Sequence, residues 1–214
     1  MTRRKKIWLV LAIVAIGVAF AIPHLPANAE TEASRVFDAL VLNPGVTVAD
    51  VGAGSGKYAI ASSRLTGANG RVIATELDEV DIEKIRAAAK NAGVANIEVL
   101  HAGKATTNLP DSCCDAIFLR RVYHHITQPA EFNASLAAAL KPGGRLAVID
   151  FPSSWWNFFL PRPDGLPPDR TGHGIAPAIL EQEMTTAGLP LERRIESWSS
   201  ADYCLIFRKP EAAP

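Results

Sequence analysis

The chain has 214 residues, with 22 basic and 22 acidic side chains, and 48% of its residues are hydrophobic. This length is enough for one ordinary domain with a sizeable core. The hydrophobic content excludes a disordered chain, and the zero net charge argues against non-specific nucleic-acid binding. The three cysteines include no C-x-x-C pair, so no zinc or thioredoxin-type site is expected, and we predict no metal.

The amino terminus has the layout of an export signal. A basic cluster, Arg3 to Lys6, precedes an uncharged apolar run at 7–22, and a small-x-small triplet follows at 27–29. This order is typical of a secretory signal peptide over 1–29, cleaved before a domain at 30–214. Cleavage would remove four of the 22 basic residues and none of the acidic ones, leaving a net charge near −4. A mildly acidic domain is a poor nucleic-acid partner.

An uncleaved membrane anchor is the alternative. The sixteen residues at 7–22 are slightly fewer than the roughly 20 that span a bilayer. Both arrangements place the domain outside the cytoplasm, because the basic cluster stays inside. We therefore expect an exported protein, periplasmic or anchored facing the periplasm, with membrane association through 7–22. Arg3-Arg4 also leaves twin-arginine export open. The oligomeric state is not predicted.

Helix and strand signals alternate along the remaining chain. The predicted helices cover 33–42, 57–65, 78–92, 129–140 and 177–187, and the predicted strands cover 46–51, 71–76, 97–101, 115–119, 145–150, 191–197 and 203–208. The short connection between the last two strands suits an antiparallel pair. This pattern predicts an α/β fold with a doubly wound, mostly parallel sheet covered by helices on both faces. Ligands of such sheets lie at the carboxyl ends of the strands.

A glycine-rich turn directly follows the first predicted strand. The dinucleotide pattern G-x-G-x-x-G fails there, because its third glycine would fall at position 57, which is lysine. The phosphate-loop pattern fails as well, because positions 51 and 58 are valine and tyrosine. What remains is D-x-G-x-G-x-G, formed by Asp50, Gly52, Gly54 and Gly56, with Glu76 ending the next strand twenty residues later.

This pattern resembles the first motif of the class I S-adenosylmethionine (SAM) dependent methyltransferases. Similarity to the family also extends over 109–117, over the Leu-Lys-Pro-Gly-Gly-Arg turn at 140–145, and over 205–210. The resemblance covers almost all of the chain after the predicted signal. It implies a seven-stranded Rossmann-like sheet whose last strand is inserted antiparallel. It also implies SAM as the cofactor, lying across the first and second strands.

The resemblance assigns cofactor contacts residue by residue. The backbone of the glycine loop (Gly52, Ala53, Gly54, Ser55 and Gly56) would approach the methionine portion of SAM. Asp50 would organise this loop and contact the amino group of the cofactor. Glu76 would accept hydrogen bonds from the ribose hydroxyls, and Leu77 would lie beside the adenine.

One position departs from the family pattern. Many members carry an acidic residue after the glycine that ends the third strand, where it meets the adenine amino group. Here the sequence is Gly103-Lys104-Ala105. A lysine ammonium has no acceptor, so it does not replace a carboxylate at this point. The backbone at Lys104 and Ala105 remains available for adenine contacts.

Three residues after the fourth strand are candidates for catalysis. Tyr123, His124 and His125 follow that strand near the expected methyl position. A histidine is able to deprotonate an oxygen or nitrogen acceptor, because its pKa lies near neutrality. A structural role at the start of a helix is the alternative. Asp150 and His173 are further candidates.

The sequence indicates the methyl acceptor and the cellular site of action less clearly than it indicates the cofactor. A proline- and aromatic-rich segment at 151–174 is a candidate lid, acceptor pocket or membrane contact, or it packs its own aromatics over the sheet. We predict a SAM-dependent methyltransferase acting on a small or hydrophobic, lipid-like acceptor. Because SAM is made in the cytoplasm, an exported non-catalytic binding protein on the same fold is the alternative. An NAD-dependent oxidoreductase is disfavoured by the glycine spacing.

Overall fold

The computed structural model describes residues 28–154, 160–168 and 170–212. Helices and strands alternate through most of these residues, as predicted. The helices are α1 (Ala29–Leu40), α2 (Lys57–Thr66), α3 (Glu79–Asn91), α4 (Pro129–Ala139) and α5 (Pro177–Thr186), with a short 3-10 turn at Tyr123–His125. The strands are β1 (Thr47–Val51), β2 (Arg71–Glu76), β3 (Ile97–His101), β4 (Cys114–Arg120), β5 (Leu140–Asp150), β6 (Leu191–Ile195) and β7 (Tyr203–Arg208).

One seven-stranded sheet, in the order β3-β2-β1-β4-β5-β7-β6, organises the domain. The pairs β1–β2, β1–β4, β2–β3 and β4–β5 are parallel, whereas β7 runs antiparallel to both β5 and β6. This confirms the predicted α/β class, the doubly wound sheet and the inserted antiparallel last strand. The carboxyl ends of six strands therefore meet at one edge, here called the carboxyl edge.

Both faces of the sheet are covered, so its central strands are mostly apolar. In β1, Val48 packs in the cluster that includes Phe37 of α1, whereas Ala49 packs in the cluster that includes Leu136 of α4. Successive strand residues point to opposite faces, and burial on both faces selects the continuous apolar runs of a parallel sheet.

Several element boundaries differ from the sequence prediction, most of them by one or two residues. β5 begins at Leu140 rather than 145, because the predicted Lys-Pro-Gly-Gly turn is drawn into the strand, where Leu140 pairs with Cys114 across a register shift. β6 ends at Ile195 rather than 197. α1 begins at Ala29 rather than 33, because the side chain of Asn28 caps it and accepts the Glu30 N–H at 3.2 Å.

Parts of the sequence prediction lie outside the described residues. The export signal or anchor, apart from Asn28 and Ala29, and the aromatic run at 155–159 are among them. Within the described ranges, no helix is long and apolar enough to cross a membrane. All three cysteines are free thiols, and burial raises the pKa of Cys204 to about 12.

Candidate functional site

A cavity with a volume of about 620 Å³ opens at the carboxyl edge. That volume lies within the range of small-molecule sites, about 300–1,000 Å³. Its walls come from the ends of β1 and β2, from the turn after β3, and from the segment between β4 and α4. Asp164 and Gly165 close it from the connection between β5 and α5. The cavity thus lies where doubly wound sheets bind ligands.

The glycine loop is tied to β2 by backbone hydrogen bonds. The N–H groups of Gly52 and Ala53 donate to the Thr75 carbonyl at 2.9 and 3.1 Å. The N–H of Gly54 donates to Oε2 of Glu76 at 2.8 Å, and the N–H of Leu77 donates to Oε1 at 2.7 Å. A carboxylate offers about four acceptor positions, so Glu76 keeps capacity for a ligand on the cavity wall.

Two of the glycines are required for different reasons. Gly52 has φ +73°, and a Cβ there would lie 2.5 Å from Cγ2 of Val122. Gly54 has φ +54°, but a Cβ there would meet no atom within 4 Å. Gly52 is therefore fixed by packing, whereas Gly54 borders open space and leaves its backbone accessible to a ligand.

Asp50 carries an unsatisfied acceptor beneath this loop. Its carboxylate is buried and accepts a backbone hydrogen bond from Ala59, but Oδ2 has no partner among the described residues. Burial, reinforced by the nearby charge of Glu76, raises the pKa of Asp50 to about 7. A buried orphan acceptor of this kind suits a cationic donor such as the amino group of SAM.

Some of the residues predicted to contact the adenine lie together on the cavity wall. Leu77 and Lys104 both line the cavity, and Leu77 is 47% exposed. Six predicted cofactor residues are not part of the described wall: Asp50, Ala53, Gly54, Ser55, Gly56 and Ala105.

The two histidines differ in environment. His124 is buried, and its Nδ1 lies 2.8 Å from Oδ1 of Asp150, while its backbone N–H donates to Oδ2 at 3.2 Å. His125 is exposed and lines the cavity, with its ring centroid 3.9 Å from that of His124. Desolvation, followed by the charge of His124, lowers the pKa of His125, so its imidazole is neutral at pH 7.

Comparisons with known proteins agree with this geometry. A family model described as a methyltransferase domain matches residues 49–148, which include the glycine loop, Glu76 and both histidines. Residues 49–148 therefore carry a methyltransferase domain, which is similar to those of the class I SAM-dependent family. A ubiquinone/menaquinone biosynthesis C-methyltransferase from Escherichia fergusonii is 32% identical over 108 residues. That match covers 50% of this chain and only 43% of the relative.

Solved structures resemble this chain over most of its length. A SAM dependent methyltransferase from Aquifex aeolicus is 26% identical, covers 86% of this chain and 93% of its own, and gives a TM-score of 0.71. The YcgJ protein from Bacillus subtilis covers 85% of this chain and 99% of its own with a TM-score of 0.65. At 15% identity, the second likeness shows the fold alone.

Tyr123 is placed differently from its histidine neighbours. Its hydroxyl donates to Oε2 of Glu183 at 2.7 Å and accepts from Nδ2 of Asn133 at 2.7 Å. The side chain is fully buried, which raises its pKa, and Tyr123 is not part of the described cavity wall. This environment fits an anchor of the 3-10 turn better than a group that touches an acceptor.

Arg170 is a structural residue that the sequence did not single out. Its buried guanidinium donates to the carbonyls of Tyr123 at 3.2 Å and Ile126 at 2.9 Å, and it pairs with Glu183. These contacts fix the segment that brings Asp164 and Gly165 to the cavity. The partners lie 13 to 47 residues away along the chain, so no local pattern indicated them.

Proposed function

We propose that this domain binds SAM in the 620 Å³ cavity and transfers its methyl group to a small hydrophobic acceptor. The observation that carries the proposal is the Glu76 carboxylate, tied to the glycine loop and lying on the cavity wall. The volume, the orphan oxygen of Asp50 and the open space beside Gly54 all fit this cofactor.

Each of these groups has a stated part in binding. Glu76 would accept hydrogen bonds from the ribose hydroxyls, and Asp50 would accept one from the amino group. Gly54 would allow the backbone to approach the methionine portion, and Leu77 would cover the adenine. When bound, SAM supplies an activated methyl group on a sulfonium. The remaining tasks of the protein are alignment of the acceptor and exclusion of water.

His125 is the proposed general base. It is on the cavity wall and neutral at pH 7, so it is able to take a proton from an acceptor hydroxyl. His124 is held by Asp150 through both its ring and its backbone. This pair fixes the turn that presents His125, so His124 and Asp150 act as positioning residues.

The acceptor we favour is a hydroxylated aromatic ring of the quinone type, in its reduced form. Support comes from the name of the Escherichia fergusonii relative and from the apolar side chains Val122, Ile126 and Phe132 on the cavity wall. Loss of the hydroxyl proton to His125 places electron density on a neighbouring ring carbon. That carbon would form the new bond to the methyl group while the methyl–sulfur bond breaks, with its electron pair leaving on the sulfur, and the ring carbon would then release its own proton to solvent.

A second candidate is a binding protein without catalysis. Lys104 favours it, because an ammonium on the cavity wall offers no acceptor to the adenine amino group. Under this hypothesis the cavity binds a small molecule without turnover.

Calorimetry with SAM, and with NAD as the comparator, tests binding on the full chain in detergent. Transfer of labelled methyl from SAM to a panel of hydroquinones then tests catalysis. Binding with transfer supports the enzyme, and binding without transfer to any oxygen, nitrogen or carbon acceptor favours the second candidate. The absence of SAM binding at millimolar concentration would overturn the proposal.

A further inference from the structure

The first turn of α1 is fixed at the carboxyl edge by the buried carboxylate of Glu32. Its Oε1 accepts from Nε of Arg120 at 2.7 Å and from Nε1 of Trp198 at 3.2 Å, and its Oε2 accepts from the Tyr58 hydroxyl at 3.0 Å. Burial opposes ionisation, but Arg120 and the other two donors leave the pKa of Glu32 below its usual value. The three donors lie at the end of β4, in the β6–β7 turn and at the start of α2, which all belong to that edge.

The start of α1 is therefore close to the cavity. Arg120 is two residues before Val122, which lines the cavity, so their Cα atoms are at most about 7.6 Å apart. The other end of α1 lies at the opposite edge, where NH1 of Arg145 donates to the Leu40 carbonyl at 3.5 Å. Chain that precedes α1 must leave the domain at the carboxyl edge.

The residues before the expected cleavage site, Asn28 and Ala29, are part of the folded domain. Ala29 is the first residue of α1 and packs against the cluster that contains Val36 and Phe37. Asn28 supplies both the side-chain cap and the carbonyl that accepts the Glu32 N–H at 3.0 Å. Cleavage after Ala29 would remove this cap and leave a positive amino group at the positive end of the helix dipole. The folded domain is thus more stable with its leader attached.

The connection to the apolar run is short. Residues 23–28 are six residues, which span at most about 20 Å when fully extended. A membrane segment at 7–22 would therefore hold the carboxyl edge within a short distance of the lipid.

Exposed apolar side chains collect at the same edge. Of the four exposed large hydrophobic residues in the described chain, Leu77 follows β2 and Val80 lies in the first turn of α3. Leu160 lies in the connection that leaves β5 from this edge. Only Val41, at the end of α1, lies at the opposite edge. Apolar side chains on one rim are suited to a lipid surface.

We propose that the chain keeps residues 7–22 as a membrane anchor and that the carboxyl edge, with the mouth of the cavity, faces the bilayer. The acceptor then enters the cavity from the lipid phase. This entry route rests on the proposed function, because that function supplies the chemistry. Glu32 sets the orientation, because it fixes where the anchor leaves the domain.

The test places an environment-sensitive NBD label at the two edges of the full-length chain in phosphatidylcholine–phosphatidylglycerol vesicles. Cysteine is introduced by Val80→Cys or Leu160→Cys at the carboxyl edge, and by Val41→Cys at the opposite edge as the matched control. All three variants carry Cys113→Ser, because that native thiol is partly exposed. Spin-labelled lipid should quench labels at 80 and 160 at least threefold more than the label at 41.

Equal quenching at the two edges, or stronger quenching at 41, would overturn the proposal. A mature amino terminus at Glu30, found by mass spectrometry of protein from its native membrane, would do the same. A thermal shift with SAM on the same samples separates the two proposals. Retained SAM binding with equal quenching contradicts only the orientation, whereas unequal quenching without SAM binding contradicts only the proposed function.

Discussion

The carboxylate of Glu76 accepts the N–H of Gly54 at 2.8 Å, so the acid at the end of β2 and the loop after β1 form one unit. A second N–H, from Leu77, fixes the other oxygen of the same carboxylate. The group proposed to bind the ribose is therefore already oriented before a ligand arrives. Such preorganisation reduces the entropy that binding must offset.

Replacement of Glu76 should weaken the binding of SAM. We expect Glu76→Ala to cost about 1–3 kcal/mol in calorimetric affinity, the scale of losing hydrogen bonds to a charged group. Glu79→Ala is the matched control, because Glu79 is an exposed acid at the same edge that pairs with His101. Wild-type affinity in Glu76→Ala would contradict the assignment.

Lys104→Asp should tighten the binding of SAM by about 1 kcal/mol, because the new carboxylate supplies the acceptor that adenine lacks here. The gain should also appear with adenosine and be absent with free methionine, as measured by calorimetry. Lys90→Asp makes the same charge change on an exposed lysine at the far end of α3. If Lys104→Asp binds SAM no better than Lys90→Asp does, the ammonium does not meet the adenine.

The rate of methyl transfer should depend on the charge of His125. Because its pKa is lowered from 6.5, kcat should stay level near pH 7 and fall only as the pH drops below 6.5. His125→Gln should reduce kcat by roughly 10²–10⁴-fold and abolish this acid limb. His101→Gln, an exposed histidine at the same edge, should keep the limb. A limb unchanged in His125→Gln would assign the base elsewhere.

Asp50 should make stability depend on pH. Its pKa is raised from 3.8 to about 7, so the folded state favours the protonated carboxyl. The free energy of unfolding should be highest below pH 4 and fall by up to about 4 kcal/mol as the pH rises to 7. Asp50→Asn should remove this component, as measured by urea unfolding between pH 4 and 8. Asp111→Asn, an exposed control, should retain the wild-type slope, and a wild-type slope in Asp50→Asn would be evidence against the raised pKa.

Most of the sheet and much of the cofactor side of the site could be predicted from the sequence. Buried strands such as β1 and β4 are continuous apolar runs, and Gly52, Gly54 and Glu76 stand at fixed offsets from them. These signals are local, because strand burial and positive φ angles act on neighbouring residues. The missing hydrogen-bond partner of Oδ2 of Asp50 has no local signal in the sequence, because it depends on which residues pack around the end of a buried strand.

The start of α1 shows where sequence reasoning was incomplete. Asn28 and Ala29 lie in a small-residue triplet, and that pattern does not distinguish a cleavage site from a helix cap. The helix start is fixed by Glu32, whose carboxylate accepts hydrogen bonds from Arg120 and Trp198, 88 and 166 positions away in the chain. The same holds for Arg170, whose contacts exist only once the chain has folded.

The insertion of β7 between β5 and β6 also imposes an order of assembly. β6 is made before β7, yet in the described sheet it pairs only with β7, which lies between it and β5. During synthesis, β6 therefore has no place in the sheet until β7 has emerged. A chain passing through a translocation channel would therefore complete its sheet only at that late stage. It would stay unfolded, and able to pass through the channel, for longer than a chain whose sheet assembles in sequence order.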